Sequence, residues 1–294
     1  MKVVILTRLA INPASDSDLR QLKPGEAPLF LDEHWLSARV DQMLNLSLRS
    51  LEIQSVPPDL HLIAVDERVV GRAKTLFGLN LPAFSEVLGL PSSQSFNELV
   101  RERLKSLAPD VVTVRLDSDD CLAAGFLERI RDRIDVGLAF NFPHGIQWDV
   151  SRGHVVHRAI LSNPTVAYRS EDGSHVFDFG RHRLVQELVP TLNEWTISPM
   201  FLKVSHSHNH ARFQSGGFPV LRPNTAVRKF GVPGEYLKPR VRFSPLPLIH
   251  LAVYVLIKRF PRVNSKIYRF INVSRNFVSL GGLRYFRSRT AERE

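Results

Sequence analysis

The chain has 294 residues, 44% of them apolar and 23% charged, with one cysteine and a formal net charge of +10. That length and balance predict an ordinary folded protein with a sizeable core, exclude an intrachain disulfide, and argue against disorder or a fibrous repeat. The charge is lodged at one end: residues 237–294 hold 13 Lys or Arg and two acids, so residues 1–236 sum to −1, which excludes a uniformly basic nucleic-acid-binding domain.

KVVILT (2–7) predicts a first buried strand rather than the charged start and long apolar middle of a secretory signal. A polar, Pro- and Gly-containing loop follows to about residue 29. Residues 34–55 place Leu36, Val40, Met43, Leu44, Leu48 and Leu51 at helical spacing, and Pro57 and Pro58 end that helix. LHLIAVD (60–66) predicts a second strand. Residues 71–92 look loop-like or weakly helical. SFNELVRERLKSLA (95–108) predicts a Ser-capped helix, VVTVRLD (111–117) a third strand, and LAAGFLERIRDRI (122–134) another helix. Alternating strands and helices argue for an α/β fold with a mostly parallel central sheet and flanking helices. Ligands in such sheets bind outside the carboxyl ends of the strands. Thr7 and Arg8, Asp66, and Asp117 to Asp120 all fall at those ends. After residue 135 the chain reads as short strands and loops, a strand leading into a helix near 175–188, and a strand before a His-rich loop near 206. No uninterrupted apolar stretch reaches membrane-spanning length. Walker, dinucleotide-glycine, HExxH and paired CxxC motifs are lacking.

The densest chemistry is LDSDD (116–120). In an extended segment Asp117 and Asp119 share a side, and such crowding is costly unless a cation offsets it. Mg²⁺ or Mn²⁺, held by one or two carboxylates plus substrate phosphates, answers that need. A solvated turn with Asp120 capping a helix is the plainer reading and stays open. His206, His208 and His210 alternate, so in a strand they would share a face that could bind Zn²⁺, with an exposed loop of incidental histidines as the alternative. Trp148 could stack on a sugar or pack in a core. Asp149 beside it could accept a hydroxyl proton, and with Asp120 it makes the pair of candidate catalytic carboxylates. Asn141 and His144 sit in a turn expected on the same edge and join Trp148 as acceptor- or sugar-binding candidates. Arg115 alternates with Asp117 and suits a phosphate or a structural ion pair. Trp35 and Arg39, four apart, suit a stacked pair on one helix face.

The ordered series LTR (6–8), HWLSARV (34–40), LHLIAVDE (60–67), VTVRLDSDD (112–120), NFPHGIQWD (141–149), SNP (162–164) and VSHSHN (204–209) resembles a rhamnosyltransferase family of GT-A-like nucleotide-sugar glycosyltransferases. The resemblance covers about residues 1–215 and implies a GT-A-like domain over 1–236 with a basic extension, 237–294, outside it. It implies that Asp117 and Asp119, with His206 or His208, hold the metal and diphosphate, and that Asp120 touches the donor sugar or caps a helix. Thr7, Arg8, Asp66 and Arg115 would then line the donor nucleotide. The implied reaction passes a sugar, rhamnose in the narrower version, from a nucleotide-sugar donor to a hydroxyl of a glycan or lipid-linked acceptor. A nucleotidyltransferase and a non-enzymatic envelope-associated binding protein remain the alternatives. In the extension, an apolar run from Leu246 to Ile257 joins Lys258, Arg259, Arg262, Lys266 and Arg269. This suits either an anionic membrane surface or a buried helix with a basic end, and it predicts a cytoplasmic protein, peripheral on the inner face of the membrane in the first case.

Overall fold

The computed structural model of the protein describes residues 1–12, 28–107, 109–160, 163, 165–180, 182–206, 218–220 and 222–236. The strands are β1 (Lys2–Ala10), β2 (Leu60–Asp66), β3 (Ser85–Leu90), β4 (Val111–Arg115), β5 (Cys121–Leu122), β6 (Ala139–Asn141), β7 (His144–Asp149), β8 (His154–Ala159), β9 (Ala167–Ser170), β10 (Thr191–Asn193), β11 (Phe201–Ser205) and β12 (Phe218–Pro219). The α-helices are α1 (Glu33–Asn45), α2 (Ser47–Glu52), α3 (Val70–Phe77), α4 (Phe96–Lys105), α5 (Phe126–Arg133), α6 (His182–Leu188) and α7 (Pro223–Arg228).

The strands form two sheets. Seven lie in the order β10-β6-β9-β4-β1-β2-β3, and five in the order β12-β8-β7-β11-β5. In the first sheet β3, β2, β1 and β4 run parallel, β6 and β10 run parallel to each other, and only β9 pairs antiparallel. This is the mostly parallel, helix-flanked α/β architecture expected. β1 is buried on both faces, so it reads as an unbroken apolar run instead of an alternation. One face takes Val4, Leu6 and Leu62 against Phe96, Val100 and Leu104 of α4. On the other, Leu36, Val40, Met43 and Phe77 pack from α1 and α3, and Phe126 and Ile130 pack from α5. Each such side chain contributes about 1.5–3 kcal/mol by leaving water.

Local chemistry explains most boundaries. Asp32 caps α1 by accepting the Trp35 N–H at 2.8 Å. Ser95 and Glu98 close a reciprocal capping box on α4. The single helix expected over 34–55 is two, because Leu46 leaves helical geometry at φ −117°, ψ −83°. The stretch 71–92 holds a helix and a full strand, α3 and β3. β3 is an edge strand that buries little, which hid it from apolar patterning. The helix expected from 122 begins at Phe126, because Cys121 and Leu122 pair with β11 instead. The strand expected near 175 is a 3-10 turn, Val176–Phe179. Among the described residues no helix is long and apolar enough to cross a membrane. The extension from 237 onward and its proposed surface role lie outside the described residues.

Candidate functional site

The aspartate segment is not extended. The Leu116 N–H donates to the Leu6 carbonyl at 3.1 Å, and the Asp120 N–H then donates back to the Asp117 carbonyl at 3.1 Å, closing a turn. α2 holds that turn through buried polar side chains. Ser47 Oγ donates to the Ser118 carbonyl (3.1 Å), Ser50 Oγ accepts from the Leu122 N–H (3.1 Å), and Gln54 bonds the Ala123 carbonyl and the Leu127 N–H. The break at Leu46 sets α2 against this loop, so a second, short helix exists where one long one was expected. The turn also corrects the expectation that Asp117 and Asp119 share a side: they point to different partners.

Asp119 is nearly buried, with its side chain 9% exposed, and its Oδ2 lies 2.9 Å from His206 Nε2 and 3.4 Å from Arg39 Nη1. Arg39 also bonds Ser118 Oγ and Gln42 Oε1, and its guanidinium carbon is 5.9 Å from the Trp35 ring centre. His206 Nε2 is 3.3 Å from Arg39 Nη1 as well. One ring nitrogen cannot both donate to a carboxylate and accept from a guanidinium, so these three groups compete for one point. A hexacoordinate Mg²⁺ or Mn²⁺ with arms of about 2.1 Å places neighbouring ligands about 3 Å apart. Asp119 and His206, a hydrogen-bonded pair at 2.9 Å, would be the two protein ligands of such an ion, the histidine nitrogen suiting Mn²⁺ better than Mg²⁺. Among the described residues no group of three or more His, Cys, Asp or Glu side chains gathers around a metal position. Water and substrate phosphates would complete the shell, as is usual for Mg²⁺. His208 lies outside the described residues.

Asp120 points inward and accepts the Val204 N–H of β11 at 3.0 Å. It precedes β5 rather than opening a helix, which corrects the cap expectation. Burial first, then the Asp119 and Asp117 charges, push its carboxyl well above the usual range. Neighbouring Cys121 is raised too, by burial and by Asp120 and Asp119. Asp120 is buried beneath the turn, at 3% exposure.

The other face of the first sheet carries a second polar group. Asp117, 42% exposed at its side chain, lies 3.6 Å from Arg115 Nε. Arg115 and Arg8 both stand over the Phe177 ring, with guanidinium carbons 4.8 and 4.5 Å from its centre. Asp66 ends β2 as expected, and its carboxylate grips Arg68 at 2.7 and 2.9 Å. Burial works to raise the Asp66 carboxyl, and the Arg68 bonds outweigh it and hold it below its ordinary value. Thr7 is fully buried. Its hydroxyl donates to the Leu116 carbonyl (2.8 Å), so it must accept from His61 Nε2–H (3.0 Å), which leaves His61 Nδ1 to accept from Ser85 Oγ (3.2 Å). Burial pushes that neutral His61 down to about 3.

The remaining candidates spread along β6 and β7. Asn141 ends β6 and donates to Asn193 Oδ1 at 2.8 Å. His144 stands at the far end of β7 from Asp149, roughly 17 Å of strand away. It meets the Thr196 carbonyl at 2.9 Å and His157 at 3.3 Å, and burial lowers it from its ordinary value. Trp148 is 1% exposed and packs with Ile146, Leu202 and Val204, so its face is closed to a sugar, which corrects the stacking expectation. Asp149 lies beside Ser205 in register and accepts from Ser151 Oγ (2.6 Å) and the Arg152 N–H (3.1 Å). A cleft of about 460 Å³, lined by Lys74, Leu81 and Glu86 at the β3 edge, lies three strands from β4 and holds none of these groups. Sequence reasoning passed over Phe177 and Ser118. It placed Arg39 beside Trp35 but had no signal for its reach to Asp119, eighty residues away.

The family described as "putative rhamnosyl transferase" matches residues 16–217. No similar protein was found among curated proteins. Among solved structures, Staphylococcus aureus TarS 1-349 superposes with a TM-score of 0.37 at 12% identity, over 69% of this chain and 60% of that one. The same protein in complex with UDP-GlcNAc gives 0.35 at 13%, over 74% and 62%. A 4-diphosphocytidyl-2C-methyl-D-erythritol synthase gives 0.34 at 15%, over 78% and 97%. The chain spans about 60% of the length of TarS 1-349.

Proposed function

The chain belongs to the putative rhamnosyl transferase family, a glycosyltransferase family, and from that premise we propose that it moves a sugar from a nucleotide-sugar donor to an acceptor hydroxyl with the help of Mn²⁺ or Mg²⁺. Rhamnose is the narrower proposal for the sugar, and a glycan or lipid-linked molecule for the acceptor. The observation that carries the proposal is the approach of Asp119 to His206, at 2.9 Å, at the carboxyl end of parallel strands. These two residues would hold the ion, which when bound supplies positive charge to the departing nucleoside diphosphate. Arg8 and Arg115 come from adjacent parallel strands on one face and suit the phosphates. Asp117, the more exposed carboxylate, faces the same region. Asp149 is the proposed acceptor of the hydroxyl proton, and its bonds to Ser151 and Arg152 must open first. Since β7 and β11 run side by side, it comes within one strand of the Ser205–His206 end. The basic extension is proposed to seat the protein on an anionic inner membrane surface, supported by its 13 basic side chains against two acids.

Incubation with a panel of nucleotide sugars and Mn²⁺ tests the reaction. Release of a nucleoside diphosphate or monophosphate with a glycosylated acceptor supports it. Release of inorganic pyrophosphate in a parallel incubation with nucleoside triphosphates and sugar 1-phosphates would replace it with nucleotidyl transfer, and binding of sugars without turnover of any donor would replace it with a binding role.

A further inference from the structure

Arg39 stands close to the point proposed for the ion. Its side chain is 15% exposed, and its partners come from α1, from the aspartate turn and from the end of β11. Nη1 lies 3.4 Å from Asp119 Oδ2, 3.3 Å from His206 Nε2 and 3.3 Å from Gln42 Oε1. Nη2 donates to the Ser118 hydroxyl inside the turn. The Trp35 ring, one helical turn earlier, has its centre 5.9 Å from the guanidinium carbon. All three Nη1 contacts are longer than the usual hydrogen-bond range of about 2.7–3.2 Å. The contact with His206 is not a bond at all while Nε2–H donates to Asp119. Nε is buried with no partner among the described residues, which is a costly state for an N–H. The fold thus delivers this guanidinium to the site, and Ser118 alone holds it closely.

Asp119 Oδ2 and His206 Nε2 are 2.9 Å apart, and Nη1 is within 3.4 Å of both. An ion bonded to both atoms at about 2.2 Å is then within roughly 5 Å of Nη1, whichever side it occupies. A divalent cation and a guanidinium that close repel each other strongly inside a protein. Arg39 must therefore leave Asp119 for the ion to be held well. Substrate phosphates share the shell of such an ion, so they arrive within a few ångströms of the guanidinium. The arginine fork matches phosphate oxygens, and Nε is one arm of that fork. We infer that Arg39 is a positioning residue that changes partner: it pairs with Asp119 in the metal-free protein and passes to the donor's phosphates when ion and donor bind together. It opposes Mn²⁺ that comes alone and favours Mn²⁺ that comes with a diphosphate, so ion and donor load as one. This rests on the nucleotide-sugar reading above, and it deepens that reading by assigning the order of loading to one side chain.

The test is made on the full chain and needs no turnover. Electron paramagnetic resonance measures binding of Mn²⁺ alone. Calorimetry then measures UDP, GDP and dTDP binding in EDTA and in saturating Mn²⁺. The ratio of the two nucleotide affinities gives the coupling between ion and nucleotide. Association of Mn²⁺ with nucleotide in solution is common to every variant and cancels in the comparison. The variants are Arg39→Met, Arg39→Gln as a second neutral side chain, and Arg39→Lys, with circular dichroism confirming each fold. Either neutral variant should bind Mn²⁺ alone about ten-fold more tightly than wild type, and its coupling should fall at least about ten-fold. Arg39→Lys keeps the charge and should stay within about three-fold of wild type for Mn²⁺ alone. Unchanged coupling in a folded neutral variant overturns the inference alone, even where Mn²⁺ alone binds more tightly, because the guanidinium then repels the ion equally with and without donor. An Arg39→Lys protein that binds Mn²⁺ alone as tightly as Arg39→Met also overturns it, because the effect is then one of packing. Wild-type protein whose affinity for every nucleotide is the same in Mn²⁺ and in EDTA overturns the metal reading, and the inference with it.

Discussion

Asp119→Asn separates structural from metal-binding work at one oxygen. The substitution keeps the shape of the side chain and removes the charge that faces Arg39 at 3.4 Å and His206 at 2.9 Å. The Coulomb attraction between Asp119 and Arg39 at that distance is about 5 kcal/mol at an effective dielectric constant of 20. Most of it is cancelled by the desolvation that both groups suffer, since their side chains are 9% and 15% exposed. Losing the Asp119 charge also relieves Asp120, whose carboxyl is raised in part by it. The net loss of folding stability should be about 1–2 kcal/mol. The effect on Mn²⁺ should be larger. Removing one of two protein ligands is expected to weaken nucleotide-dependent Mn²⁺ binding at least about 100-fold, or about 2.7 kcal/mol. Urea unfolding measures the first quantity, and calorimetric titration of Mn²⁺ across a panel of nucleoside diphosphates measures the second. A folded Asp119→Asn protein whose Mn²⁺ affinity stays within about three-fold of wild type would refute the placement of the ion.

Arg39→Met should tighten binding of Mn²⁺ alone by about ten-fold, because the guanidinium lies within 3.4 Å of both proposed ligands and repels a second cation; weaker binding in electron paramagnetic resonance titrations would contradict this. His61 is held at about 3 when folded, below its unfolded value, so the unfolded chain takes up the proton first as pH falls. Its contribution to stability should be complete above about pH 6.5 and should fall by roughly 1.4 kcal/mol per pH unit from there toward pH 3. Urea unfolding at pH 7, 6 and 5 should show that slope, and a His61→Gln protein with the same slope would assign it elsewhere. At Gly145 on β7 an added Cβ would come within 2.4–2.5 Å of the Phe201 ring carbons, and Phe201 is 1% exposed. Gly145→Ala should therefore cost about 1–3 kcal/mol in chemical denaturation, and a neutral result would mean that Phe201 yields without strain.

What the sequence determined by itself was local and periodic. Apolar runs and helical spacing located β1, β2, β4, α1 and α4, because burial on both sheet faces leaves an unmistakable pattern in neighbouring residues. The alternation of those elements carried the parallel sheet, and the sheet in turn carried the edge to which Arg8, Asp66 and Asp117 belong. The ordered motifs carried the family. Tertiary structure alone decided which charges meet. A turn at Asp117–Asp120 sends Asp117 toward Arg115 and Asp119 toward His206, 87 residues later in the chain. Arg39 and Phe177 reach the site through helix and turn placements that no local pattern records. Trp148, beside an acid in sequence, is drawn into a core because β7 is covered on both sides. Periodicity reports whether a residue faces water or core, through its neighbours along the chain. Which cation faces which carboxylate depends on contacts between distant segments, and those are set only when the sheets close.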